Sequence, residues 1–239
     1  MAGTPPEFTL QQSYYARTAG HYDDWHASDE GEHDLALAVL IGWARHAGVR
    51  SILDVGSGTG RALRRIKAEL PGIRVLGIEP SEDLRRIGHA QHDLTETELV
   101  AGDALALAQA DGAFDLVCAF GALHHIRDAS RAIDEMLRVA DRAIFLSDNN
   151  NYGMGPPGAR LAKRWLWRLG LWPAVVWLKT RGKGWHYSEG DGIYYSYSLF
   201  SDIDRIRRAC RAVHVMNTDG DGAIAIHDAG HVAVLGLKR

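Results

Sequence analysis

Ile52-Leu53-Asp54-Val55-Gly56-Ser57-Gly58-Thr59-Gly60 is a short apolar run that stops in a glycine-rich turn. The run reads as a strand, and the amphipathic stretch behind it, Gly60–Leu70, as a helix. Glycine tolerates the tight backbone of such a turn and lets main chain approach a ligand closely. The following helix directs unpaired N–H groups at whatever lies above the strand. The glycine pattern is G-x-G-x-G. A dinucleotide fingerprint, G-x-G-x-x-G, counted from Gly56, would place its last glycine where this chain has Arg61. A pyrophosphate gains nothing from the nearby Asp54 carboxylate, whereas a ligand with a cationic amino-acid end does.

Outward from this run, apolar segments and amphipathic segments alternate. Arg74–Ile78 reads as a strand, Glu82–His92 as a helix and Leu99–Ala101 as a short strand. Phe114–Phe120 is a strongly apolar strand, Ala129–Val139 a helix and Arg142–Ser147 a strand. This alternation implies βαβ units around a parallel sheet. Upstream, Glu32–Ala47 has helical periodicity with Leu35, Val39, Leu40 and Trp43 on one face, and Gly48 suits its C-terminal cap. Residues 1–12 read as flexible. The rhythm breaks at Asp148. Residues 149–200 are rich in Gly, Trp and Tyr and suggest a helical hairpin. A helix over Ser201–Arg211, a strand near Val213–Asn217, turn residues Thr218–Gly222 and a strand His231–Leu237 close the chain. The organisation expected is an N-terminal cap and helix (1–47), an α/β core (48–148), a lid or acceptor-binding insertion (149–200) and the last part of the core sheet (201–239).

Composition bounds this reading. The 239 residues are 46% hydrophobic and 24% charged, ordinary for a soluble globular protein. A net charge of −3 gives no global attraction to nucleic acid, and none is expected as a partner. Cys118 lies in an apolar run and Cys210 in a predicted helix, so both read as buried free thiols of a reducing compartment. Met1–Thr18 has no apolar core of a secretory signal, and no apolar run reaches membrane-spanning length. The expected location is cytoplasmic.

Two further acids follow successive strands. Glu79, in Gly77-Ile78-Glu79-Pro80, can accept both ribose hydroxyls of an adenosine, a feature shared with NAD enzymes. Asp103, in Ala101-Gly102-Asp103-Ala104, can accept a hydrogen bond from an adenine amino group. Singly, each acid suits a cap or turn. Three at successive strand ends point to a nucleoside site.

The segments LDVGSGTG, GIEPS, AGDA and FDLVCAFGALHHIRD resemble, in this order and spacing, the class I S-adenosylmethionine (SAM)-dependent methyltransferases of the small-molecule type, over about residues 50–148. The resemblance implies a doubly wound α/β fold with a seven-stranded, mostly parallel sheet, an antiparallel last strand and helices on both faces. It implies SAM as cofactor. Asp54, Gly56, Ser57, Gly58 and Gly60 would face its methionyl part, Glu79 the ribose, and Asp103 with Ala104 the adenine. Tyr14-Tyr15 and His21-Tyr22-Asp23 resemble a segment that covers the cofactor, which makes Tyr14 and Tyr22 candidate contacts.

Methyl transfer is an in-line displacement on a sulfonium, so alignment and exclusion of water matter most. A base is needed only where the nucleophile arrives protonated. His125, then His124, are the candidate bases, with a loop-stabilising hydrogen bond as the alternative. Asn149, in the polar run Asp148–Asn151, points to the cleft. No second acidic cluster accompanies that run, and no metal is expected. Between Gly153 and Ser188 stand Arg160, Lys163, Arg164, Arg168, Lys179, Arg181 and Lys183 without an acid, interleaved with Trp165, Trp167, Trp172, Trp177 and Trp185. This segment suits a solvated lid, a cover over an anionic acceptor with Arg181 as a contact, or a peripheral membrane contact through 158–185. His186, Glu189 and Tyr195 are the candidate acceptor contacts beyond it. The function expected is methylation of a small-molecule or lipid- or glycan-linked acceptor at oxygen. Nitrogen or carbon transfer, an NAD-dependent oxidoreductase and a non-catalytic SAM-binding module are the alternatives.

Overall fold

The run Ser51–Val55 forms β1, and every one of its residues is buried. A strand with a continuous apolar sequence is covered on both faces, and here helices supply both covers. The structure, a computed structural model, describes residues 6–21, 32–219 and 227–239. The helices are α1 (Pro6–Thr18), α2 (Glu32–Ala47), α3 (Arg61–Glu69), α4 (Glu82–Gln91), α5 (Ala129–Val139), α6 (Pro157–Arg168), α7 (Trp172–Lys179) and α8 (Ile203–Ala209). The remaining strands are β2 (Arg74–Ile78), β3 (Leu99–Val100), β4 (Phe114–Phe120), β5 (Ala140–Asn149), β6 (His186–Ser188), β7 (Gly192–Tyr194), β8 (Cys210–Asn217) and β9 (His231–Lys238).

Seven strands form one sheet in the order β3-β2-β1-β4-β5-β9-β8. The pairs among β1 to β5 are parallel, and β9 runs antiparallel to both β5 and β8. The sheet is thus the doubly wound, mostly parallel one expected, with its last strand reversed. Side chains alternate between its faces. Ile52, Leu116 and Phe145 pack under Leu37, Leu40 and Ile41 of α2 and Ile66 of α3. Leu53, Val117 and Ile144 pack under Ile133 and Met136 of α5 and Ile206 of α8. The chain builds outward from β1 to β3 and then returns to β4 on the other side. A crevice opens at the carboxyl ends of β1 and β4, where such a reversal leaves room for a ligand.

Several local expectations need correction. Residues 6–12, within the segment read as flexible, belong to the helix Pro6–Thr18. The buried stripe of α2 is Ala36, Leu37, Leu40, Ile41 and Ala44, while Leu35 is exposed. The last helix ends at Ala209, and Cys210 opens β8, paired with Lys238. Residues 186–194 form a two-stranded ribbon, β6–β7, in register His186 opposite Tyr194. The helical hairpin is present as α6 and α7. Both cysteines are free and buried. Among the described residues no helix is long and apolar enough to cross a membrane.

Candidate functional site

β1 ends at Val55, and the chain turns through Gly56, Gly58 and Gly60 with φ of 76°, 56° and 81°. These left-handed values suit glycine and strain other residues. Space adds a second constraint, because a Cβ on Gly56 would lie 2.4 Å from the Ala122 Cβ. The amides of Gly56 and Ser57 donate to the Ile78 carbonyl at 2.8 and 3.1 Å, which ties the turn to β2. Glu79, just beyond β2, accepts from the amides of Gly58 at 3.0 Å and Ser81 at 2.8 Å. The Ser57 hydroxyl donates to the Asp54 carbonyl at 2.9 Å.

Asp54 and Glu79 are both buried. Burial pushes the Asp54 carboxyl up to about 6, against smaller lowering by hydrogen bonds from Ser57 and Cys118. Burial likewise pushes Glu79 up to about 7, although the Ser81 and Gly58 amides and the charge of Arg85 oppose the rise. Among the described residues neither carboxylate forms a salt bridge. Two buried acids without a salt bridge among the described residues, beside a turn in which a side chain on Gly56 is excluded, fit a ligand that brings positive charge and hydroxyl donors.

A cavity of about 750 Å³ opens beside the turn. Asp54, Gly56, Ser57 and Gly58 line one side, and Phe120, Gly121, His124, His125, Asn149 and Asp191 line another. His33, Asp34 and Leu37 of α2, together with His231 of β9, complete the wall. Arg61, Arg64 and Arg65 of α3 also reach it, so the cations at the cavity come from α3 and not from the hairpin.

The two histidines sit in a short helical turn after β4, Leu123–His125. Asp148, fully buried near the end of β5, accepts the Leu123 amide at 2.8 Å through Oδ2. Its Oδ1 accepts from His124 Nδ1 at 2.8 Å and from the Asn149 amide at 2.7 Å. On the far side of the same ring, His124 Nε2 lies 3.5 Å from Asp191 Oδ2. Burial disfavours charge on His124, but Asp148 and Asp191 outweigh it and raise the imidazole to about 10. Asp148 is held below its ordinary range, its burial being overcome by the His124 charge. Asp191 is also held well below that range, because hydrogen bonds and charge from His124 and His125 exceed the cost of burial.

His125 differs from its neighbour. Its Nδ1 donates to the Ile193 carbonyl at 2.5 Å, and its Nε2 stands 3.3 Å from Asp191 Oδ1. The two rings are 4.0 Å apart between centroids. One atom each of His124, His125 and Asp191 lie within 4.8 Å of one another, a ligand set by residue type. His124 has a carboxylate at each ring nitrogen, Asp148 at 2.8 Å and Asp191 at 3.5 Å.

The residues singled out from sequence separate into groups. Asp54, Gly56, Ser57, Gly58, His124, His125 and Asn149 meet at the cavity. Gly60 caps α3, and Glu79 braces the turn from behind. Asp103 is exposed and accepts the Leu105 amide at 2.8 Å, with Ala104 beside it. Tyr14 is buried in α1 and packs edge-on against Tyr187 of β6, away from the cavity wall. Tyr22 lies outside the described residues. The candidate acceptor contacts stand outside this cavity wall. His186 stacks on Tyr194, Glu189 is exposed, and Tyr195 donates its amide to the His124 carbonyl at 2.8 Å. Arg181 is exposed, and none of these four lines the cavity. The residue sequence reasoning missed is Asp191, two places beyond Glu189 in the same turn. Its signal was an acid between two glycines, Gly190 and Gly192.

Residues 52–142 match a family model described as a methyltransferase domain. A demethylmenaquinone methyltransferase of Roseiflexus sp. (strain RS-1) is 35% identical over 88 residues, which are 37% of this chain and 37% of that protein. A ubiquinone/menaquinone biosynthesis C-methyltransferase of Paracoccus denitrificans (strain Pd 1222) is 28% identical over 145 residues, 57% of this chain and 58% of that protein. The chain therefore spans between about a third and somewhat over half of the curated relatives' length. Magnesium protoporphyrin IX methyltransferase from Synechocystis PCC 6803, solved with bound SAM, has a TM-score of 0.61 at 13% identity and covers 100% of both chains. The resemblance read from the sequence holds. Residues 52–142 are methyltransferase-domain sequence, and the chain has the fold of the class I SAM-dependent methyltransferases.

Proposed function

We propose that the chain is a methyltransferase that uses SAM to methylate a small-molecule or lipid- or glycan-linked acceptor, at oxygen. The observation that carries this reading is the pair of buried carboxylates, Asp54 and Glu79, flanking a glycine turn that opens on a large cavity. In this reading the turn Gly56–Gly60 and Asp54 hold the cationic amino-acid end of the cofactor. Glu79 serves its hydroxyls and Asp103 its base. When bound, SAM supplies a methyl group on a sulfonium, a leaving group that needs no acid.

The cavity walls keep water from the reacting centre and align the acceptor. A hydroxyl acceptor arrives protonated, and a positioned group must take that proton. His125 with Asp191 suits the task. The Ile193 carbonyl holds Nδ1 as the donor, and Nε2, 3.3 Å from Asp191, takes the proton once it turns from that carboxylate to the acceptor hydroxyl. His124 is a positioning residue. Held as an imidazolium between Asp148 and Asp191, it anchors Asp191 rather than accepting a proton. Arg61 and Arg64 give the cavity a preference for an anionic acceptor.

The name of one curated relative, a ubiquinone/menaquinone biosynthesis C-methyltransferase, supports a second reading, transfer to carbon, for which a quinol is the acceptor to try. A quinol hydroxyl must also lose its proton before charge reaches the ring, so the same pair would serve. Calorimetry with S-adenosylhomocysteine (SAH) and with NAD tests the cofactor. Methyl-labelled SAM offered with quinols, sugar phosphates and lipid-linked glycans tests the acceptor. SAH binding with label on oxygen supports the first reading, and label on carbon replaces it with the second. Binding of NAD without SAH ends both.

A further inference from the structure

We propose that the α6–α7 hairpin docks on an anionic phospholipid surface. The hairpin has two aromatic faces with different fates. On the inner one, Trp167 and Trp172 pack around the buried ring of Tyr152, with centroids 5.2 and 6.0 Å away. That contact holds the hairpin to the rest of the protein. On the outer one, Leu161, Trp165 and Leu169 recur every four residues and are exposed, as are Leu171, Trp177 and Leu178. Trp165 and Trp177 are 57% and 62% exposed, large values for the bulkiest aromatic side chain, which is highly buried on average.

Charge selects the occupant. The hairpin and its flanks, residues 153–188, carry seven Lys or Arg and no acid, in a chain whose net charge is −3. Some of these cations serve the fold. Lys163 donates to the carbonyls of Asn151 and Met154, and Arg164 pairs with Asp228 at 3.0 Å. Arg168, Lys179, Arg181 and Lys183 remain exposed among the outward apolar residues. A second copy of this chain would bring the same cations against them and be repelled. A surface of anionic headgroups over hydrocarbon satisfies both the charge and the indole rings, which favour the boundary between the two. The chain runs from Lys183 through β6 directly to Gly190 and Asp191 in the cavity wall. The docking stands without methyl transfer. Its use, drawing a lipid-borne acceptor to the cavity, rests on the activity proposed above.

Co-sedimentation of the full chain with vesicles of phosphatidylcholine, alone or mixed with phosphatidylglycerol, tests the proposal. The expected result is binding at least about tenfold stronger to the mixed vesicles, with a blue shift of tryptophan fluorescence. The variant Trp165→Ser/Trp177→Ser should lose about tenfold or more, and Arg168→Glu/Lys179→Glu should remove the preference for phosphatidylglycerol. SAH affinity and circular dichroism of the same samples, unchanged in both variants, show that the fold and cofactor site persist. They also report on the methyltransferase reading separately. Wild-type protein that ignores both vesicle types overturns the proposal. So does vesicle binding that the variants retain in full, or a dimer detected by light scattering that only the tryptophan substitutions dissolve.

Discussion

Replacing Asp148 by Asn removes one charge from a fully buried cluster while keeping its shape. At neutral pH His124 is an imidazolium, because Asp148 and Asp191 hold it up to about 10. In the Asp148→Asn variant the buried cation keeps only Asp191, whose side chain is 40% exposed. Breaking a buried pair by removing one partner costs about 3–5 kcal/mol. The titration gives a consistent ceiling. A rise from 6.5 to about 10 corresponds to at most about 5 kcal/mol. For a chain of this size the loss amounts to a fall in Tm of roughly 6–20 °C. The sign with pH follows from the direction of the shift. The folded His124 binds its proton more tightly than the unfolded one, so its contribution is full below about 6.5 and declines as pH rises through about 10. Urea unfolding of wild type and Asp148→Asn at several pH values between 6 and 10 reads both effects. Wild type should lose stability across this range, and the variant should show a much smaller slope. Equal midpoints at pH 7, or parallel slopes, would refute the buried ion pair.

Other perturbations follow from the same geometry. Gly58→Val forces a β-branched residue into φ of 56° and should abolish SAH binding in calorimetry; retained affinity would remove the turn from the site. The ammonium of SAH needs Asp54 ionised and its hydroxyls are best accepted by an ionised Glu79, so SAH affinity should fall as pH drops below about 7 and fall further below about 6, by up to about tenfold per unit for each group. The same raised values make the ligand-free fold gain stability from these groups on acidification from about 7 toward their unfolded values, and a Kd that is flat with pH would contradict the assignment. His125→Ala should lower turnover by about 10²–10⁴ with little change in SAH affinity, and an unchanged rate would make the residue structural.

The strands and helices from β1 to β5 were legible because each is specified locally. Short apolar runs, turn glycines and amphipathic periods agree there, and the acids at strand ends inherit their places from the strands. Elements decided by distant partners were not legible. α1 has few apolar residues, and its buried face is defined by what it packs against: Glu7 pairs with Arg127, and Tyr14 meets Tyr187. In α2 the apolar residues spread over more than one stripe, so Leu35–Val39–Trp43 and Leu37–Leu40–Ala44 compete until the sheet selects the second. Cys210 fits the helical period of Ile206, and pairing with β9 makes it a strand residue. Asp191 meets His125 only through the β6–β7 ribbon. Its neighbour Glu189 is the same kind of residue in the same turn, and only the path of the backbone decides which acid faces the histidines.

That ribbon is itself held from a remote part of the chain. Gln11 of α1 accepts the Ile193 amide at 2.5 Å, and a Cβ on Gly192 would stand 2.5 Å from the same side-chain oxygen. Arg17 donates to the Tyr187 hydroxyl at 3.1 Å. The acid that meets both imidazoles thus owes its station in part to a helix at the other end of the chain. In a saturation scan Gln11 and Gly192 would score beside the histidines, and a reader of such data without coordinates would assign a buttress to the chemistry.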